Sequence, residues 1–301
     1  MKVVTLNDPT SPVAAQFVSE AGMIGTSLTD DGVELLGQRR GLAAYVSDAK
    51  TMGIPILYPW ANRLGADTYT AQGLTVNLTP GENGVHADAN GLPIHGVLAA
   101  YPGWKVTAQS GSSLTAEVDF GADPHLLAAF PFPHVLTLAV RLAERALTIR
   151  TTVTATGAHA VPLCFGFHPY LHLPGVPRDE WLLETPRMRH LRLDDHGLPT
   201  GESEPQPARA QLLGENTFDD GYDDLEDGAM FAVSGGGRRI EVRFDEGYPA
   251  AQIFAPDPGD APDDAVVCFE PMTAPTDALR RGGYWCARPG ESAVAQFSIR
   301  V

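Results

Sequence analysis

The chain has 301 residues, 21 Lys plus Arg against 37 Asp plus Glu, and a formal net charge of −16. That balance argues against a dedicated nucleic-acid binder, which needs clustered cations to neutralise phosphate, and against a polybasic membrane-surface protein. Apolar residues at 44% and charged residues at 19% provide material for a packed core, while 31 Gly and 25 Pro leave little room for long helices.

The N-terminus shows a single Lys2 and no apolar stretch of signal-peptide length. No run reaches the roughly 20 apolar residues of a membrane helix. Cys164, Cys268 and Cys286 lack C-x-x-C spacing, so neither a disulfide framework nor a zinc ribbon is expected. Cys164 and Cys268, each between two apolar neighbours, read as small buried hydrophobes. The expectation is a reduced, cytoplasmic chain.

Along the chain the dominant period is two. The first segment to break it is Tyr58-Pro59-Trp60-Ala61-Asn62-Arg63-Leu64-Gly65, and the second is Asn90-Gly91-Leu92-Pro93-Ile94-His95-Gly96. Leu114, Ala116, Val118 and Phe120 then alternate with polar residues, and a short helix fits Leu126 to Phe130. Leu136, Leu138, Val140 and Leu142 form a second alternating strand, and Leu147, Ile149, Thr151 and Val153 a third. Phe165-Gly166-Phe167-His168-Pro169-Tyr170 breaks the pattern again. Asp194 to Gly228 reads as an acidic, loop-rich excursion. Ile240, Val242 and Phe244 alternate, Ala265 to Phe269 is an apolar run ending in Glu270, Thr276 to Arg281 suits a short helix after Pro275, and Ala295, Phe297, Ile299 and Val301 close the chain. Turn signals separate these units, as at Gly111-Ser112 and Pro289-Gly290. On the order of twenty or more short strands are expected at the usual spacing. No linker or repeat divides residues 1–301, so the expected fold is all-β, a single domain built as a large antiparallel β-sandwich with few short helices.

The breaks carry the chemistry. Each sets one ionisable side chain in an apolar or Gly/Pro-bounded stretch. Glu270 stands out, because a carboxylate at the end of a buried strand must be partnered or poised. Burial raises a carboxyl pKa toward the range a general base needs near neutrality. His168 and His172 have H-x₃-H spacing, but that spacing aligns two metal ligands only on a helix, and Pro169 favours strand or loop. No metal is expected. His86, His125, His134, His159, His190 and His196 sit near turns or on polar strand faces and are expected to be solvated.

Taken in order, Asn62-Arg63, Ile94-His95-Gly96 with Trp104, Phe167-His168-Pro169-Tyr170 and Glu270-Pro271-Met272-Thr273 resemble the aldose 1-epimerase (galactose mutarotase) family over about residues 57–279. The resemblance implies a large antiparallel sandwich with a sugar cleft across one sheet. It implies Glu270 as carboxylate base, His168 as general acid and His95 as its assistant. It implies Arg63, Asn62 and Asp219 as sugar holders, with Asp220 the alternative to Asp219. Trp60, Tyr58 and Trp285 are candidates to offer aromatic faces to the sugar. The chain departs from many galactose mutarotases in having Val97 after Gly96 and His172 after Leu171. The implied reaction interconverts the anomers of a free aldose by ring opening and reclosure, with a small-molecule sugar as partner, no cofactor, and a monomer or homodimer as the working form. Two alternatives stay open: a hexose 6-phosphate substrate, for which Arg39-Arg40 and Arg280-Arg281 are candidate phosphate binders, and a non-catalytic sugar-binding protein on the same fold.

Overall fold

In the computed structural model, which describes residues 1–257, 259 and 264–301, the alternating segments become strands whose inward residues are buried. Leu114, Ala116 and Val118 point inward from Ser113–Asp119; Leu136, Leu138, Val140 and Leu142 from His134–Ala143; Ile240, Val242 and Phe244 from Arg238–Glu246. Between the buried positions lie polar or half-buried ones, as a sheet with one wet face requires. The described residues contain 27 strands and three short α-helices.

Two large sheets carry the molecule. The nine-stranded sheet runs Lys105–Gln109, Ser113–Asp119, His134–Ala143, Ala146–Ala155, Ser292–Arg300, Arg238–Glu246, Ala229–Gly235, Leu182–Thr185 and Arg209–Leu212. The eight-stranded sheet runs Pro199–Gln206, Met188–Leu193, Phe218–Asp223, Ala250–Ala255, Val267–Met272, Gly166–Phe167 and Ile56–Leu57, with Tyr170–Leu171 also paired to Val267–Met272. A smaller four-stranded sheet joins Val3–Asn7, Val13–Val18, Ile24–Asp30 and Val33–Glu34. Every pairing within these sheets is antiparallel. One apolar cluster, reaching from Val4 to Ile299, fills the space between the large sheets, and Phe269 of one stacks on Phe231 of the other at 5.3 Å. That face-to-face packing is the expected sandwich.

The strand Val267–Met272 differs from the others in being buried at every residue. Val267 and Phe269 face the main core, whereas Cys268, Glu270 and Met272 face the opposite side, where further chain covers them. The eight-stranded sheet therefore has two occupied faces, one in the core and one in a cleft.

Two expectations need correction, and one element had not been expected. Asp194 to Gly228 is no loop: it contains Pro199–Gln206, Arg209–Leu212 and Phe218–Asp223. Pro199–Gln206 and Arg209–Leu212 are the outermost strands of their sheets and are largely exposed, so no buried face imposes a period on them. His134 is fully buried rather than solvated. Its Nε2 and the Tyr58 hydroxyl are hydrogen-bonded at 2.7 Å, and burial pushes its pKa down to about 4. A helix at Gly41–Asp48 had no sequence signal, since it buries only Tyr45. The two expected helices are present as Pro124–Ala129 and Ala278–Arg281.

Candidate functional site

The four pattern-breaking segments meet. The segment after Ile56–Leu57 is bridged on both sides: Tyr58 to Gly96, Trp60 to Cys164 and Arg63 to Ile94. Gly166 pairs with both Leu57 and Met272. Segments more than a hundred positions apart, Leu57 with Gly166 and Gly166 with Met272, are thus fixed by backbone pairing before any side chain contributes. Two turns in this crossing use the left-handed region, Asn62 at φ +54° and His95 at φ +62°, a conformation uncommon for residues with side chains and frequent at functional sites. The His95 N–H donates to the Asn62 carbonyl at 2.9 Å. Gly96 follows at φ +70°, and a Cβ there would lie 2.0 Å from the Tyr58 carbonyl oxygen, so only glycine lets this crossing close.

The product is a cup of about 200 Å³ lined by Thr51, Asn62, Arg63, Ile94, His95, His168, Tyr170, Asp219, Phe254 and Glu270. Of the sequence candidates, Glu270, His168, His95, Arg63, Asn62 and Asp219 are brought together. Trp60 is not. Its indole is 1% exposed, belongs to the main core and lines no part of the cup, so the aromatic face expected of it is spent on packing. Tyr58 is likewise buried, and Trp285 lies outside the cup. The aromatic walls are Tyr170 and Phe254.

Sheet register decides between Asp219 and Asp220. Asp219 opposes Phe254, Phe254 opposes Cys268, and Gln252 opposes Glu270, so these side chains share the cleft face. Asp220 opposes the core residue Ile253, and its Oδ1 lies 3.1 Å from His190 Nε2. A shift of one residue changes the face.

At the centre, His168 Nε2 lies 3.2 Å from Glu270 Oε1, and among the described residues no Lys or Arg is bonded to that carboxyl. Glu270 Oε2 and the Nδ1 atoms of His168 and His95 have no hydrogen-bond partner among the described residues. Tyr170 stacks on His168 with ring centroids 4.3 Å apart, and its hydroxyl is 2.6 Å from Thr51 Oγ1. The His95 and His168 rings stand edge to face at 5.8 Å. Burial, reinforced by the Asp219 charge, raises the Glu270 carboxyl well above the usual range despite Arg63. Burial and neighbouring His95 hold His168 well below 6.5, and burial with the Arg63 cation brings His95 down to about 3. The residues of the cup therefore favour a protonated Glu270 beside neutral imidazoles.

Arg63 is held by two partners. Its Nε donates to Asp88 at 2.7 Å and its Nη1 to Asn62 Oδ1 at 3.0 Å. Burial pushes the Asp88 carboxyl up, but Arg63 and the N–H groups of Leu92 and Asn90 outweigh this and keep it low. Gln252, 1% exposed, donates to Asp219 at 2.7 Å. Sequence reasoning assigned no role to Asp88, Gln252, Thr51, Tyr170 or Phe254. Gln252 carried a usable signal, being a polar residue inside the apolar run Ala250 to Ala255, the same signal that marked Glu270. Asp88 carried none, because its turn would be built alike without Arg63.

The candidate phosphate binders are elsewhere. Arg280 and Arg281 both bind the buried Asp277 carboxylate, at 3.1 and 2.7 Å, and Arg39 pairs with Asp264 at 2.9 Å. None of these, nor Arg40, lines the cup. His172 Nδ1 lies 2.8 Å from the Ala265 carbonyl and does not line the cup with His168.

Comparison with known proteins agrees with this architecture. The family model described as aldose 1-epimerase matches residues 3–300. The uncharacterized protein YphB of Escherichia coli is 26% identical, with 93% of this chain and 96% of that one covered; YihR from the same organism is 23% identical, covering 75% and 71%. A galactose mutarotase-like protein from Clostridium acetobutylicum superposes with a TM-score of 0.80 over 99% of this chain and 94% of its own, at 17% identity, which shows a shared fold. The chain belongs to the aldose 1-epimerase family.

Proposed function

We propose that this member of the family interconverts the α and β anomers of a free aldose. Glu270 takes the proton of the C1 hydroxyl while His168 gives a proton to the ring oxygen. The C1–C2 bond turns in the open aldehyde, and reclosure on the other face reverses both transfers. Metal or nucleotide chemistry is not required. In this reading His95, whose ring stands edge to face with that of His168, hydrogen-bonds the ring oxygen beside it, and Arg63, Asn62 and Asp219 hold hydroxyls so that C1 stays at Glu270.

The observation that carries this proposal is the 3.2 Å contact between Glu270 and His168, with no competing cation bonded to Glu270 among the described residues. A carboxylate beside an imidazolium and a carboxylic acid beside a neutral imidazole contain the same number of protons. Ring opening converts the first pair into the second. Burial favours the second, as the raised Glu270 and lowered His168 show, so the cup matches the charge state of the open-chain intermediate. Sugar hydroxyls reaching the unpartnered Oε2 and Nδ1 atoms would bring the two pairs closer in energy. Each well-placed acid or base typically contributes about 10²–10⁴-fold.

Polarimetry or anomeric NMR on fresh α-D-glucose, α-D-galactose and other aldoses tests the proposal. Equilibration far faster than in buffer is expected. A rate equal to buffer for every aldose would sink it. Against the hexose 6-phosphate alternative stand the ion pairs of Arg280 and Arg281 with Asp277 and of Arg39 with Asp264, and none of these, nor Arg40, lines the cup.

A further inference from the structure

Asp277 serves neither the cup nor its own helix. It precedes Ala278–Arg281, where an aspartate ordinarily accepts a hydrogen bond from an N–H of the first helical turn, yet its side chain accepts none of these. Its backbone lies in the left-handed region at φ +64°, and its carboxylate is fully buried. A non-glycine residue in that conformation persists only where its surroundings impose it.

The carboxylate turns instead to the segment that carries Arg63. Its Oδ1 accepts the Gly65 N–H at 2.8 Å, and its Oδ2 accepts Arg280 Nη1 at 3.1 Å and Arg281 Nε at 2.7 Å. The Asp277 N–H donates to the Arg63 carbonyl at 3.1 Å, and the Leu64 N–H donates to the Pro93 carbonyl at 2.8 Å. Three consecutive residues, Arg63, Leu64 and Gly65, are thus held through their backbone, two of them by Asp277. The arginines are anchored in their turn, Arg280 Nε donating to the Thr68 carbonyl at 3.0 Å and Arg281 Nη1 to that of Pro199. Charge-assisted bonds of this kind are the stronger ones and fix geometry as well as energy. Asp277 also follows Glu270 closely in the chain, so one short stretch carries Glu270 and grips the turn that presents Arg63. Asp277 itself lines no part of the cup.

We propose that Asp277, braced by Arg280 and Arg281, is a positioning residue for Arg63: it holds residues 63–65 so that the Arg63 guanidinium keeps a set place relative to Glu270. The effect on sugar binding rests on the anomer-exchange proposal above, in which Arg63 holds a hydroxyl; the clamp on the turn does not.

Anomer-exchange kinetics test the role. Asp277→Asn should raise KM about tenfold, the worth of one hydrogen bond to a charged group. It should leave kcat within about threefold, because Arg63 holds its hydroxyl alike in the ground state and the transition state. In an Arg63→Met background the same substitution should change KM by less than about twofold, since the group it positions is gone. Asp277→Asn deprives two guanidiniums of their carboxylate, so Gly65→Ala is the second variant and carries the test alone if the first does not fold. Gly65 needs no left-handed backbone, and its added Cβ would lie 2.7 Å from Arg280 Nη1 and 3.1 Å from Asp277 Oδ2, which pushes the turn off the clamp. The same rise in KM is expected, again only where Arg63 is present. An unchanged KM in the folded variants, or a rise that persists in full beside Arg63→Met, overturns the positioning role. If the wild-type protein exchanges no aldose, the anomer-exchange proposal fails and the clamp is judged without substrate. A crystal structure of Gly65→Ala is then expected to show the Arg63 guanidinium moved by about 1 Å or more relative to Glu270, a displacement of the size that disables a site; an unmoved guanidinium overturns the clamp.

Discussion

Glu270 is costly to the fold and is the base of the proposed reaction. The folded protein keeps its proton to a pH well above the usual carboxyl value, because burial and Asp219 disfavour the anion. The unfolded chain releases that proton near pH 4.5. Between those two values the unfolded state holds fewer protons, so stability falls as pH rises, by up to about 1.4 kcal/mol per pH unit. Glu270→Gln removes this slope. Its urea midpoint should equal that of the wild type near pH 4 and exceed it increasingly toward pH 8, while anomer exchange drops by about 10²–10⁴-fold. Equal midpoints at pH 8 would mean that the carboxyl is not held protonated. The same pair sets the pH dependence of activity. In the proposed reaction the competent form holds one proton between Glu270 and His168, and a second proton enters only well below 6.5. The acid limb of kcat/KM, which reports the free enzyme, should therefore lie well below the 6.5 of an ordinary histidine; a limb at 6.5 or above would contradict this. At this scale the sequence showed which groups were out of place, Glu270 most clearly, but not which partners would restrain them. Asp88 sits 25 positions from Arg63, and nothing local to either residue records the pairing.

Strands determine which of two adjacent residues does the work. Phe218–Asp223 alternates Asp219 toward the cleft and Asp220 toward the core side. Asp219→Asn should raise KM, and by removing a charge that lifts Glu270 it should move the alkaline limb of kcat/KM to lower pH. Asp220→Asn should leave both within about twofold. Interchanged effects would place the strand one residue out of register. The alternating strands of the nine-stranded sheet were legible because each has one buried and one wet face, as in His134–Ala143. The outermost strands were not, because Pro199–Gln206 and Arg209–Leu212 bury neither face. Trp60 shows the opposite error. Its motif placed it beside the site candidates in sequence, yet the extended run ends at the left-handed turn of Asn62, so Trp60 packs in the core while Asn62 and Arg63 line the cup.

Across the whole molecule, one sheet has its inner face in the core and its outer face in the cleft, so the site inherits the rigidity of the sandwich. The crossings of Tyr58 over Gly96 and of Gly166 between Leu57 and Met272 tie the cup to that sheet. Gly96→Ala tests this tie. The added methyl would meet the Tyr58 carbonyl, and the left-handed backbone disfavours it further; together they should cost about 3 kcal/mol or more, read as a lowered denaturant midpoint. An unchanged midpoint would mean the crossing is looser than described. The central claim is nonetheless about the position of a sugar atom. A crystal structure of Glu270→Gln with a soaked aldose tests it most directly. The expected result is a C1 hydroxyl within about 2.6–3.2 Å of the residue 270 side chain, the ordinary reach of a general base, with the ring oxygen facing the imidazole of His168 or His95. A sugar bound in the cup with C1 turned away from residue 270, or bound outside the cup altogether, would contradict the account.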